Sequence, residues 1–441
     1  MSLPFYYRKS PIWIQNVIMY LKGLQIKKQR FNKYFHKELN TLLEHDPKKV
    51  RTDKLKHFMA FANDHSEFWR KRFEEYKVDL SSTDLENEIK KLPILTKKEV
   101  KENVESISIK HPSIKTSTIR TSGTTGSGLI FPQTIEMENS QWAVWWRYRI
   151  KLGLSLDMNM GWFSGRSIIP ISQKKPPFWR YNSPNKQVMF SAHHLSIDTV
   201  EYYYHKVKKL ELKWLHGYPS QLSLLGSLIL EKGLKPLKVD FVTLGGENLL
   251  LNQEQIIQKA FGVKPYQHYG LAEGVVNISQ DEEYNFYFDN DFALTELIET
   301  EISNKTFKLV GTNYLNLAFP LIRYDTNDIM TYDPVTNIIE SINGRNEDYV
   351  TLPNGVKLGR LDHLFKDAYY IAEAQIYQKD LENIRLNIKK NNHFNDKKHS
   401  KEILNEARER FGEHVNVTLN FVDAIEKSKA GKFKFVISDI K

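Results

Sequence analysis

Thr121-Ser122-Gly123-Thr124-Thr125-Gly126-Ser127-Gly128 gathers small hydroxyls and glycines into eight consecutive residues. Glycine lets the backbone approach a ligand closely and turn its amides inward, and short hydroxyl side chains add donors suited to phosphate oxygens. The run is not a Walker loop, because GxxxxGK[ST] requires a lysine that is missing here. Its C-terminal flank, Leu129-Ile130-Phe131, reads as a strand, so the loop is predicted to link two strands rather than to open a helix. Taken alone, it is equally an ordinary Ser/Thr/Gly hairpin.

Further short runs follow downstream. Phe241-Val242-Thr243-Leu244 is a buried-strand pattern that ends in Gly245-Gly246-Glu247-Asn248. Then come Gln267-His268-Tyr269-Gly270-Leu271-Ala272-Glu273-Gly274, Arg323-Tyr324-Asp325-Thr326-Asn327-Asp328, Gly344-Arg345-Asn346-Glu347-Asp348, and Ser428-Lys429-Ala430-Gly431-Lys432-Phe433-Lys434. In this order and at these intervals they resemble the core motifs of the adenylate-forming superfamily, which holds acyl-CoA synthetases, luciferases and peptide-synthetase adenylation domains. His216-Gly217-Tyr218-Pro219-Ser220 and the aromatic, basic leader look like the phenylacetate–CoA ligase-like branch associated with capsular polysaccharide loci. The resemblance covers roughly residues 50 to 441.

The resemblance implies an α/β fold: a large N-terminal domain with mixed sheets and a small, mobile α/β C-terminal domain. It implies that a carboxylate attacks the α-phosphate of ATP, releasing pyrophosphate, and that the acyl group then passes to a thiol such as CoA, an amine or a hydroxyl. Two anions must meet, so charge has to be neutralised and the attack aligned. On this reading Thr121, Ser122, Thr124 and Thr125 donate to phosphates, while Gly123 and Gly126 allow close approach. Gly246 and Glu247 meet the adenine edge, Tyr269 lies against the adenine ring beside Gly270, and Asp328 accepts the ribose hydroxyls. Arg345 reaches the ribose or phosphates. Glu273 holds Mg²⁺, a hard cation suited to carboxylate and phosphate oxygens. Lys432, after Gly431, bridges carboxylate and α-phosphate, with Lys429 and Lys434 as competitors. Glu347 lies at the hinge on which the small domain turns. The family's usual lysine shortly after the loop is absent, and Asp325 and Asn327 stand where Arg and Gly are commoner. Asn tolerates the left-handed turn that glycine would supply. Trp162, His193, His216 and His268 are candidates for the substrate side. Trp142, Trp145 and Trp146 recur at helical spacing and read first as helix core.

Composition narrows the alternatives. The 441 residues exceed what one core usually organises, so two or more domains are expected, with bounds 1–90, 91–345 and 346–441 for leader, N-terminal and C-terminal parts. The absence of cysteine excludes zinc ribbons, Fe–S clusters, a cysteine nucleophile and a thioester held on the chain itself. No run approaches the roughly 20 apolar residues that span a bilayer, and no signal peptide is recognisable. A cytoplasmic protein, soluble or peripheral at the inner face of the membrane, is expected. The net charge is +10, and residues 1–60 hold 13 Lys and Arg against 4 Asp and Glu. The rest is close to neutral, which argues against a nucleic-acid-binding body. Within the leader, Trp13 and Val17-Ile18-Met19-Tyr20-Leu21 lie between basic residues. Such a segment suits an anionic membrane surface or a helical arm packed on the body.

The C-terminal end is legible by alternation. Ile384, Leu386 and Ile388 predict a strand, Ile403, Ala407 and Phe411 a helix that Gly412 caps, and Val415 to Phe421 a second strand. Residues 31–43 predict an amphipathic helix and 53–76 another helical stretch. Two rivals from other classes stand beside the ligase reading: a non-catalytic nucleotide-binding descendant, and a peripheral membrane component of a polysaccharide assembly complex.

Overall fold

A computed structural model of the chain describes residues 5–121, 129–164, 167–247, 249, 251–300, 305–343, 350–358, 361–365, 368, 370–390, 394–423, 425 and 436–440. It opens with helices α1 (Phe5–Lys9), α2 (Ile12–Arg30), α3 (Lys33–Glu44), α4 (Pro47–His65) and α5 (Glu67–Glu75). Side chains mark the starts of α3 to α5. Asn32 accepts the Tyr34 and Phe35 amides, Asp46 that of Lys48, and Ser66 that of Trp69, each satisfying a donor that a helix start leaves open. The helical stretch expected over 53–76 is therefore two helices broken at Ser66. The amphipathic helix is α3, which buries Phe35, Leu39 and Leu42.

Short helices α6 (Leu85–Glu88), α7 (Lys97–Glu102) and α8 (Val104–Ile107) lead into strands β1 (Thr116–Arg120) and β2 (Ile130–Thr134). These two pair antiparallel, so the Gly-rich run connects strands, as its flank predicts. Helix α9 (Ile135–Lys151) follows at once. Thr134 caps it, Glu136 and Glu138 sit in its first turn, and Arg149 and Lys151 in its last, an arrangement that complements the helix dipole.

The central sheet contains β3 (Met160–Ser164), β4 (Trp179–Asn182), β5 (Gln187–Ser191), β6 (Trp214–Gly217), β7 (Phe241–Leu244), β8 (Tyr266–Gly270), β9 (Asn277–Gln280) and β10 (Phe286–Phe288). Their order is β10-β9-β8-β7-β6-β3-β5-β4. The inner strands from β8 to β5 are parallel, and β4, β9 and β10 join antiparallel. Helices α10 (Val200–Lys209), α11 (Pro219–Glu231) and α12 (Leu251–Phe261) return the chain between parallel strands. A Cβ on Gly217 would lie 2.1 Å from the Phe163 carbonyl oxygen, so only glycine lets β6 end this close to β3.

An antiparallel sheet follows, with β11 (Ala293–Glu299), β12 (Thr306–Asn313), β13 (Tyr324–Asp333) and β14 (Ile338–Asn343) in sequence order. Phe58, Trp69 and Phe73 of the leading helices share one core with Leu309, Leu321 and Met330. Trp69 also donates from Nε1 to the Pro320 carbonyl at 3.1 Å. After the two-residue strands β15 (Val350–Thr351) and β16 (Lys357–Leu358) come β17 (Ile371–Gln378), β18 (Asn383–Lys390), α13 (Asp396–Phe411), β19 (Asn416–Phe421) and β20 (Val436–Ser438). They form a sheet ordered β19-β18-β17-β20. β18 and β19 are parallel neighbours joined through α13, the β-α-β unit expected from alternation, and α13 ends at Gly412 with φ +92. This small α/β unit closes around its own core of Ile376, Leu386, Ile388, Ile403 and Phe411. The architecture is the α/β class with mixed sheets and a smaller C-terminal unit that the motifs imply.

Candidate active site

A cavity of about 1410 Å³ opens along the C-terminal ends of the central parallel strands and continues beneath α9. Two sets of side chains line it. Gly246, Glu247, Tyr269, Gly270 and Glu273 stand at or beyond the ends of β7 and β8, joined by Thr121 after β1 and Asp328 of β13, all implied by the motifs as ligands of the nucleotide or its metal. The structure brings these together from four separate places in the chain. Residues Ser122, Gly123, Thr124, Thr125, Gly126, Arg345, Glu347, Lys429, Lys432 and Lys434 lie outside the described residues.

Asp328 sits on β13, almost fully buried, and Tyr269 at the end of β8 donates its hydroxyl to Asp328 Oδ2 at 2.7 Å. The Asp328 amide donates to Thr326 Oγ1 at 3.1 Å, and that hydroxyl donates to the Leu309 carbonyl at 2.8 Å. Asn327 between them has φ +58, the left-handed conformation anticipated from its replacement of a glycine. The extra negative charge of Asp325 is met by Lys308 at 3.0 Å, while its Oδ1 accepts the Asn327 amide at 2.8 Å. Burial and the neighbouring Asp328 carboxylate push the Tyr269 hydroxyl well above its usual range, so it stays a donor. Arg323, which opens this segment, is a structural pin: it pairs with Glu296 and donates to the carbonyls of Lys90 and Leu92.

At the base of the Gly-rich loop, the Thr121 amide donates to the Leu129 carbonyl at 2.8 Å and the Leu129 amide donates back to Thr121 Oγ1 at 3.0 Å. Thr121 therefore closes the hairpin as well as facing the cavity. Glu273 is 7% exposed. Among the described residues no cluster of three or more His, Asp or Glu forms a complete metal cage. A single buried carboxylate in the cavity that Thr121 also lines fits the way Mg²⁺ is held, by one or two carboxylates together with substrate oxygens.

The second set of side chains forms the deep part. Trp142, Trp145, Trp146 and Arg149 occupy one face of α9, at steps of three and four residues, opposite Trp162 on β3 and Trp214 and His216 on β6. The Trp positions are thus more than helix core: this face walls the cavity. His216 Nδ1 lies 2.9 Å from Thr243 Oγ1 and 3.1 Å from the Thr243 carbonyl, which anchors the ring to β7. His268 Nε2 lies 2.9 Å from Asn277 Oδ1, which also accepts from Trp145 Nε1 at 3.0 Å. The Asn277 amide is oriented by donating to Asp289 at 2.6 Å, and Asp289 is paired with Arg147 at 2.5 Å. Burial holds both histidines neutral: it depresses His216 strongly and His268 to about 4, with Asn277 opposing it at His268.

His193 departs from expectation. It is absent from the cavity wall, and its Nε2 lies 3.5 Å from Ser167 Oγ, which bonds to the Glu409 carbonyl of α13. Its short helical turn after β5 directs it towards the C-terminal unit, and burial lowers it to about 3. Residues missed by sequence reasoning include Arg149 and Gln141 of α9, Ile26 and Arg30 of α2, and Phe31 just after it, all of which line the cavity. Arg149 had a detectable signal: it continues the i, i+3, i+4, i+7 row of the three tryptophans. The α2 residues had none, because only packing brings them there. Asn185 donates to the Gly23 carbonyl at 3.0 Å, Gln15 accepts from Arg180 at 2.8 and 2.6 Å, and Arg30 lies 4.2 Å over the Trp142 ring.

Comparisons with known proteins agree with this architecture. Residues 351–439 match the family described as the CapK C-terminal domain. The whole chain aligns with the whole of Protein CapK of Staphylococcus aureus at 26% identity over 457 residues. Among solved structures, a 2-hydroxyisobutyryl-CoA ligase in complex with 2-HIB-AMP and CoA in the thioesterification state superposes with a TM-score of 0.54. It shares 16% identity, and 89% of each chain is covered. The same ligase in its postadenylation state superposes with a TM-score of 0.50 over 89% of each chain, at 15% identity in complex with R3-HIB-AMP and 16% in complex with 2-HIB-AMP.

Proposed function

We propose that this chain, which has the fold of the adenylate-forming ligases and a CapK-type C-terminal domain, is an AMP-forming acyl ligase. It activates a carboxylate with ATP, releases pyrophosphate, and passes the acyl group to a thiol such as CoA, an amine or a hydroxyl. The observation that carries the reading is the continuous cavity, with Asp328, Tyr269, Glu273 and Thr121 at the strand ends and an aromatic compartment behind them. Asp328 binds the ribose, with its carboxylate held by Tyr269 and its loop by Thr326. Thr121 and the hydroxyls after it bind phosphates. Glu273 holds Mg²⁺, which when bound supplies charge neutralisation to the phosphates. Lys432 arrives from the C-terminal unit to orient the two anions, and Glu347 marks the hinge. The CapK relative supports placing the acyl transfer in surface-polysaccharide assembly, as the motif resemblance implies. A panel of carboxylates assayed for ATP-dependent pyrophosphate release, with CoA, amines and sugars as acceptors, is expected to give release with a restricted set. ATP binding without release from any carboxylate would instead identify a non-catalytic nucleotide-binding descendant.

The leader adds a surface role. Among the described residues no helix is long and apolar enough to cross a membrane. Yet Trp13, Val17, Tyr20, Leu21 and Leu24 form one exposed row along α2, with Lys27 and Lys28 exposed beside it. An apolar row flanked by cations suits the interface of an anionic bilayer, each cation contributing about 1 kcal/mol. The protein is expected to sediment with phosphatidylserine vesicles in low salt, less so at high salt, and not with neutral vesicles. Equal sedimentation with both would leave the leader as a packing element alone.

A further inference from the structure

We propose that the deep end of the cavity is a second anion site, in which Arg149 pairs with a negative group carried by the acyl substrate itself. The molecule activated is then a compound with at least two acidic groups separated by an apolar segment. For the chemistry at the other acidic group this rests on the adenylation reading above.

Arg149 is 8% exposed and lines the cavity. Its guanidinium lies 5.2 Å from the Trp146 ring and 5.4 Å from the Trp214 ring, and its Nε is buried without a hydrogen-bond partner. Among the described residues no carboxylate pairs with it. Burial lowers it only to about 10, so it remains a cation at neutral pH. A buried cation without a counter-charge is costly. The neighbouring Arg147 illustrates the usual solution: it turns to the other side of α9 and is clamped by Asp289 and Asp291. Ring faces attract a cation but leave its N–H donors unused. The histidines nearest Arg149, His216 and His268, are neutral and contribute no negative charge. Of the acidic side chains on this side, Glu138 is held by Arg30 and Gln29, and Asp157 is exposed at the rim. What fits the guanidinium is an anion from the ligand.

Position separates this anion from the carboxylate under attack. Trp214, beneath Arg149, begins β6, whereas the nucleotide end lies beyond Gly217 at the end of the same strand. Three residues of strand span about 10 Å. Trp142, Trp145, Trp162 and Met160 line the intervening wall and suit an apolar spacer.

The test compares benzoate with terephthalate and hexanoate with adipate by calorimetry on the full chain. In each pair the diacid should bind about tenfold or more tightly, as one charge-assisted pair allows. Arg149→Met should erase that preference, and Arg149→Lys should restore part of it. Because Arg149→Met removes an uncompensated buried charge, its melting temperature without ligand should equal or exceed that of the parent. Equal binding of monoacid and diacid by the parent protein, which requires no variant, overturns the proposal, as does a preference that survives Arg149→Met. Pyrophosphate release is measured in parallel. An Arg149-dependent preference without release sinks the adenylation reading and leaves the anion site standing. Release that is as efficient with monoacids as with diacids sinks the anion site and leaves adenylation standing.

Discussion

Lys432→Ala is expected to lower pyrophosphate exchange by about two to three orders of magnitude, the usual scale for removing one group that stabilises transition-state charge. The reason is electrostatic. In the first half-reaction a carboxylate and an α-phosphate approach each other, and a lysine bridging both gains most when their bond is forming. Its ammonium is a compact charge on a flexible stem, so it must be carried to the site by the segment that bears it. That segment runs between β19 and β20 of the C-terminal unit, and Gly431-Lys432 within it matches the superfamily pattern. The second half-reaction is expected to proceed after the small unit has turned away. A supplied acyl-adenylate should therefore be consumed at a near-normal rate by the same variant. Lys429→Ala and Lys434→Ala should be mild. Intact exchange in Lys432→Ala, or its loss in Lys434→Ala, would assign the catalytic lysine elsewhere.

The second large effect is expected at Asp328. Two ribose hydroxyls donating to one carboxylate make two charge-assisted hydrogen bonds, worth about 1.5 to 3 kcal/mol each. Asp328→Ala should thus weaken ATP binding by roughly two to four orders of magnitude in calorimetry. Tyr269→Phe provides an internal scale. It deletes the 2.7 Å hydrogen bond that steadies Oδ2 while leaving the carboxylate and the ring in place, so a loss of about 1 kcal/mol is expected. Tyr269 then acts as a positioning residue for Asp328, beyond the ring-stacking role implied by the motif. Unchanged ATP affinity in a folded Asp328→Ala protein would remove the ribose assignment.

The parts of this protein legible in its sequence are those encoded over a few residues. The alternation of Ile384, Leu386 and Ile388, the spacing of Ile403, Ala407 and Phe411, and Gly412 specify β18, α13 and its cap, because period and capping are local properties. The flanks of the Gly-rich loop specify the β1–β2 hairpin, and Asn327 takes up the left-handed turn its identity permits. The described residues of the motifs, distant in sequence, do line one cavity. Local information could not say where a side chain would find its partner. Arg147 and Arg149 are two residues apart on one helix and identical in chemistry. One is neutralised by Asp289, 142 residues away, and the other lines the cavity with no carboxylate paired to it among the described residues. His193 and His216 looked equally suited to the substrate side, and only packing turned His193 towards α13. The leader, basic and aromatic in sequence, became both an exposed row and a wall of the cavity through Gly23, Gln15 and Arg30. Periodicity can establish that a helix has faces, but which face meets which surface depends on contacts between residues distant in the chain. Local sequence thus determined the elements and which residues the motifs propose for the nucleotide, whereas tertiary structure alone decided which of the described charges are paired and which are not.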